Sequence, residues 1–325
     1  MNIEKNLTSV SKTALYVTLT LIFTIFVFLI IMSNLPDVDY LTQKNFYLQE
    51  LPNKNTIFLL GSSHIFSLDE LFIENNLKKN QKDYSVYNLG LGSDDPENRN
   101  RTIDMVISKK PKIIVYGIDY RDFASAGRTY QTNDIQLLPT IPKFDSILEI
   151  VVPSLNNGIL DNPKFAFIRT ISLLFQSNDL DTKVNEKHPF FERLGEYSIS
   201  TDPSILQKTE FIQRSLVWSI NSPNSNINFH ILKNMITQIQ NNNIQLVVFT
   251  TPHSIYFLES LSESQKNNFN LILNELNQSL DIPIYELHNK YEQNNVWYDN
   301  THLAINNETN FFSEDISKLL LQIDS

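Results

Sequence analysis

A serine, a histidine and a carboxylate stand in this chain at places where one site could use them together. Gly61-Ser62-Ser63-His64 follows the apolar run TIFLL, Gly117-Ile118-Asp119 follows KIIVY, and Asp299-Asn300-Thr301-His302 lies near the C-terminus. A hydroxyl is a weak nucleophile until a neighbouring base takes its proton, and the base works best when a carboxylate fixes its tautomer. Ser63, His302 and Asp299 are the candidates for those roles. Asp299 and His302 are three residues apart, so one loop or helical turn carries both. Taken singly the segments say little: Gly-Ser-Ser is a common loop whose serine often caps a helix, and Asp-x-x-His arises readily by chance. The glycines add weight. The chain has only seven, and four of them (Gly61, Gly90, Gly92, Gly117) fall at the ends of three apolar runs. In Asn88–Asp94, two glycines let backbone N–H groups approach a substrate oxygen closely.

These segments need a scaffold that brings them to one edge. Five Val/Ile-rich runs read as strands: Thr56–Leu60, Tyr84–Leu89, Lys112–Gly117, Ile244–Thr251 and Ile282–Leu287. They are continuously apolar rather than alternating, as in strands covered on both faces of a parallel sheet. Helical patterns lie between or after them. One runs from Pro96 to Lys109, with Asp95 as N-cap and Pro96 at the first helical position. Others cover Asn226–Asn241, Leu261–Leu280 and Asn306–Ile323, each with apolar residues on one face. Alternating strands and helices predict an α/β fold with a five-stranded parallel, flavodoxin-like sheet ordered 2-1-3-4-5. The third and fourth strands are more than a hundred residues apart, so a long insert (about 125–240) separates them. It contains an apolar helix candidate, Phe165–Phe175.

Composition narrows the function. The formal net charge is −10, which argues against a nucleic-acid partner, because phosphate binding needs clustered Lys and Arg. There is no cysteine, so disulfides, thiolate metal sites and a cysteine nucleophile are excluded. No Gly-rich phosphate loop or metal-finger spacing is present, and no cofactor is expected. Residues 14–32 form a run of 19 without a charge, about 28 Å as a helix. The run is longer than a signal-peptide apolar region and does not end in small residues, so an uncleaved signal anchor is expected. Lys5 and Lys12 precede it and Asp37 and Asp39 follow it. That arrangement predicts a single-pass protein with residues 1–13 cytoplasmic and residues 33–325 outside the cytoplasm.

The order of these blocks resembles that of the SGNH (GDSL-type) hydrolases, whose blocks are Gly-Asp-Ser, a glycine block, Gly-x-Asn and Asp-x-x-His. Here they are Gly61-Ser62-Ser63, Asn88–Asp94, Gly117-Ile118-Asp119 and Asp299–His302. The match covers roughly residues 50–125 and 240–325 and leaves out the insert. The resemblance implies an SGNH fold with Ser63 as nucleophile, His302 as general base and Asp299 as its partner. It also implies oxyanion donors at the N–H of Ser63, at Gly92 or Ser93, and at the side chain of Asp119. Three departures stand out: Ser62 replaces the family's aspartate, Ser93 takes the place of a glycine, and Asp119 replaces an asparagine. An ionised carboxylate cannot donate to an oxyanion, so Asp119→Asn is expected to raise ester turnover. A signal anchor, an extracytoplasmic SGNH domain and a long insert together are similar to DltD-type D-alanyl transfer and alginate-acetylation proteins. That likeness implies acyl esterase or O-acyltransferase activity on envelope polysaccharides or lipids, beside a membrane-bound O-acyltransferase partner.

Two other readings fit the same residues. Asp94, Asp95, Asp119, Asp299 and His302 would all reach the sheet edge, and such a set could hold Mg²⁺ or Mn²⁺ for phosphoester chemistry. A non-catalytic envelope subunit that kept the fold is the third.

Overall fold

Continuous apolar runs become strands because a strand covered on both faces loses water from every side chain along it. In the computed structural model β1 is Asn55–Leu60, β2 is Tyr84–Asn88 and β3 is Ile113–Ile118. Two short strands follow, β4 (Ala124–Ser125) and β5 (Ser219–Ile220), and then β6 (Gln245–Thr250) and β7 (Ile284–Glu286). The structure describes residues 16–20, 23, 38–51, 55–92, 94–125, 187–190, 198–200 and 218–323. From Asp39 on, these elements belong to one of the chain's two compact units, Asp39–Ile135 with Val184–Ser325; the other lies almost wholly outside the described residues.

The main sheet has five parallel strands in the order β2-β1-β3-β6-β7, the predicted order. Side chains alternate across it. Phe58 and Leu60 of β1 enter one apolar cluster with Tyr116, Ile118 and Val248, while Ile57 and Leu59 enter the other with Val115, Val247 and Phe249. The first cluster is closed by the helices Ile103–Ser108, Ile227–Asn241 and Glu263–Leu280; the second by Glu70–Lys79 and Asn310–Ile323. Burying a Leu or Ile side chain in such a layer contributes about 1.5–3 kcal/mol, so Leu59→Ala, which leaves a void between strand and helices, costs about 2–5 kcal/mol.

The helices start where polar side chains satisfy their first N–H groups. Asn226 accepts from Phe229 N, and Ser262 and Gln265 form a reciprocal capping box. One predicted helix differs. Pro96–Lys109 is two short helices, Pro96–Asn100 and Ile103–Ser108, broken at Arg101 and Thr102. Arg99, in the first of them, is fully buried, and its guanidinium bonds Asp94 Oδ2 at 2.6 Å and the carbonyl of Leu89 at 3.1 Å. A buried charge needs such partners.

Between β3 and β6, β4 and β5 pair antiparallel in a two-stranded sheet of their own, and the helix Ile227–Asn241 leads into β6. The candidate helix Phe165–Phe175 lies outside the described residues. So does most of the apolar run 14–32, of which residues 16–20 and 23 are helical with exposed side chains. Among the described residues no helix is long and apolar enough to cross a membrane.

Candidate active site

The order of strands fixes where a site can form. The chain leaves β1 toward β2 on one side, and leaves β3 toward β6 on the other. Their C-terminal ends therefore open a crevice at the switch point. Two glycines make the crevice tight enough to present a side chain. Gly61 follows β1 with φ +147, and a Cβ there would lie 2.8 Å from the Gly117 carbonyl. At Gly117 a Cβ would lie 2.8 Å from both Ile65 and Phe249. Only hydrogen at these two positions lets the chain turn into the short 3-10 turn Ser63–Ile65 while Ile65 packs beneath it, fully buried. Asn88, also fully buried, donates to the carbonyls of Ile65 at 2.9 Å and Leu68 at 3.1 Å and so ties down that turn.

Asp299 and His302 arrive from the opposite end of the chain on a different device. Trp297 and Leu303 form an antiparallel bridge, Ala304 N donates to Val296 O, and Tyr298 N donates to His302 O. The buried side chains of Trp297, Leu303 and Ala304 anchor this small hairpin. At its tip the Asp299 carboxylate accepts the N–H groups of Thr301 (2.8 Å) and His302 (2.7 Å). The three-residue spacing is thus a closed turn. Ser254 Oγ donates to the Asn300 carbonyl at 2.6 Å and pins the tip to the segment after β6.

The two devices meet. Ser63 Oγ lies 2.8 Å from His302 Nε2, and His302 Nδ1 lies 2.9 and 3.0 Å from the two Asp299 oxygens. With its proton on Nδ1 donated to Asp299, His302 keeps a lone pair on Nε2 to accept the Ser63 proton. Burial pushes the Asp299 carboxyl up, but His302 and the Thr301 and His302 N–H groups outweigh it and hold the group well below the ordinary carboxylate range. It is an anion, as an orienting group must be. A cleft of about 280 Å³ opens onto Ser63, His302 and Asp299, with Phe66, Leu303 and Ile305 as its apolar side.

The other expected site residues lie elsewhere. Asp119 is buried, and its carboxylate meets His64 Nδ1 at 2.9 Å and accepts the Arg121 N–H. Asp122 accepts the Asp119 N–H at 2.8 Å in return, closing a capping box on the 3-10 turn Tyr120–Phe123. The Asp119 carboxylate therefore faces His64 and its own turn and does not line the Ser63 cleft. Burial pushes it up, yet His64 more than reverses this and holds it far below the ordinary range. Gly92 is exposed on the loop after β2 and does not line the cleft; Ser93 lies outside the described residues. The Ser63 N–H remains as a donor, since the bonds within its turn run from Ile65 and Phe66. Nor do the carboxylates converge on one metal. Asp94 pairs with Arg99, Asp95 caps the helix Pro96–Asn100, Asp119 holds His64 and Asp299 holds His302.

No protein-family model matches the chain, and neither does any curated protein. Among solved structures it is similar to an acetyl xylan esterase, with 11% identity over 81% of this chain and 98% of that one, and a TM-score of 0.39. The chemistry rests on the site itself.

Two residues absent from the sequence expectation sit beside it. His64 stacks on His302, ring centroids 4.6 Å apart and 12° from parallel, and His253 lies edge-on to His64 at 5.1 Å. Burial pulls His64 down to about 4 against the pull of Asp119, and pulls His253 well below the ordinary histidine value. Both rings are neutral near neutral pH. Their positions carried a readable signal: His64 follows the serine directly, and Thr251-Pro252-His253 follows β6 at the same sheet edge.

Proposed function

We propose that this chain is a serine-dependent acyl esterase or O-acyltransferase. The observation that carries the reading is the unbroken line Ser63 Oγ to His302 Nε2 to Asp299, with links of 2.8 and 2.9 Å, open to a cleft. The steps follow from it. Ser63 Oγ attacks the acyl carbonyl carbon while its proton passes to His302 Nε2. Asp299 keeps the imidazole in the productive tautomer and stabilises the imidazolium. His302 returns the proton to the departing alcohol as the carbon–oxygen bond breaks, leaving the acyl group on Ser63. Water, or a second hydroxyl, gives up a proton to His302 and takes the acyl group in the reverse sequence. The Ser63 N–H supplies one donor for the developing oxyanion.

The cleft is small. At about 280 Å³ it stands at the low end of ligand sites, which favours a short acyl group such as acetyl over a long chain. Acyl-bearing envelope glycans or lipids are the proposed substrates, outside the cytoplasm. This finer reading is supported by the apolar run 14–32 and by the resemblance of the four motif blocks to SGNH hydrolases. A membrane-bound O-acyltransferase is the proposed partner on the same footing.

The test is release of acid or acyl transfer from a p-nitrophenyl acetate donor by the full chain, with excess EDTA. Turnover that survives EDTA and disappears in Ser63→Ala supports the reading. Turnover abolished by EDTA, or kept by Ser63→Ala, defeats it.

A further inference from the structure

Behind the Ser63 cleft lies a second group of side chains that the acyl chemistry leaves unused. His64, Asp119 and His253 each present one potential ligand atom, and these atoms lie within 4.8 Å of one another. All three residues are buried, at 5%, 2% and 0% exposure. His64 Nε2 and both ring nitrogens of His253 have no hydrogen-bond partner. Buried polar atoms are nearly always paired, so three orphan nitrogens in one place point to a ligand from outside the chain.

We propose that His64, Asp119 and His253 form a binding site for a divalent transition-metal ion of the zinc class. Two imidazoles and one carboxylate are the donor set of Zn²⁺ and its first-row neighbours, whereas Mg²⁺ and Ca²⁺ take oxygen ligands. The ligands also stand on a rigid base. His64 lies on the turn after β1, Asp119 directly follows β3, and His253 lies just beyond β6 with its N–H bonded to His288 O at 2.9 Å. Phe257 stacks on His253 at 4.5 Å and gives the site an apolar wall. Three protein ligands leave a further coordination position open, and His64 lines the Ser63 cleft, which provides a route in.

The experiment takes the full chain, stripped with a chelator and titrated with Zn²⁺, with bound metal counted by elemental analysis and affinity followed by calorimetry. Wild type and Ser63→Ala are both expected to bind about one equivalent, because the site does not depend on the nucleophile. His253→Phe is expected to bind at least about tenfold more weakly. Its fold is checked by circular dichroism, and His253→Gln serves as the variant if the phenylalanine does not fold. Two results overturn the proposal: a wild type that holds less than about a tenth of an equivalent, as when ordered water alone satisfies the nitrogens, or a folded His253 variant that binds zinc as tightly as wild type. Neither result bears on whether Ser63 carries an acyl group.

Discussion

Asp299–His302 and Asp119–His64 are the same chemical pair built twice, with the carboxylate 2.9 Å from Nδ1 in each and the two imidazoles stacked 4.6 Å apart. Their surroundings differ. Asp299 and His302 have side chains 32% and 27% exposed on a hairpin tip, with Nε2 aimed at Ser63. Asp119 and His64 are 2% and 3% exposed, and the Nε2 of His64 meets no protein partner. Residue type therefore does not assign the role. The outer pair has a hydroxyl to deprotonate and water nearby to stabilise its charged form. The inner pair meets a hydroxyl only at Nδ1, where Ser62 Oγ lies 2.8 Å away, and burial keeps its imidazole neutral.

Breaking the outer pair should remove activity and leave the fold intact. Ser63→Ala and His302→Ala are each expected to lower kcat/KM toward an activated ester by at least about a thousandfold, because such groups act as a unit. Unfolding midpoints should stay close to wild type, since both side chains are partly exposed. Asp299→Asn is expected to cost activity by up to about 10⁴-fold, through the wrong tautomer of His302. Steady-state kinetics with an active-site titration checks all three.

Breaking the inner pair should do the reverse. Asp119→Asn leaves the His64 Nδ1–H facing an amide and weakens the cap on Tyr120–Phe123. It is expected to destabilise the protein by about 1–3 kcal/mol, read from denaturant unfolding. The family comparison made from sequence expects this substitution to raise ester turnover; a carboxylate tied to His64 and Arg121 N predicts no gain. The smallest effect is on pH dependence. His64 titrates at about 4 in the folded chain, and His253 is likewise lowered, against an ordinary value near 6.5. Between those limits the unfolded chain binds protons that the folded one does not, so stability falls as pH drops from about 6.5 toward 4. The slope is up to about 1.4 kcal/mol per pH unit for each group. Urea unfolding across that window should show the fall, and His64→Asn should make it shallower while leaving the share of His253.

The sheet was legible because its central strands are largely apolar and buried, and three of the four motif segments fall at strand ends where topology does the positioning. Asp299 and His302 were legible because their spacing is that of a turn the carboxylate closes on itself. Asp119 shows how one position carries two signals: its place after the third strand matches an oxyanion residue, while Asp122, three positions on, is the partner of the capping box it forms. The break at Arg101 and Thr102 was not legible, since no Gly or Pro marks it in the chain. His64 and His253 each follow a strand, but neither belongs to a spaced motif, and it is the strand order that brings their rings together.

The central claim is that His302 makes Ser63 Oγ a nucleophile. It is tested most directly by treating the full chain with a fluorophosphonate and locating the added mass by peptide mass spectrometry. The account predicts one adduct, on Ser63, formed in the presence of EDTA, slowed at least about a thousandfold in His302→Ala and absent in Ser63→Ala. An unlabelled Ser63 in the folded wild type, or labelling that proceeds at the same rate without His302, would contradict it.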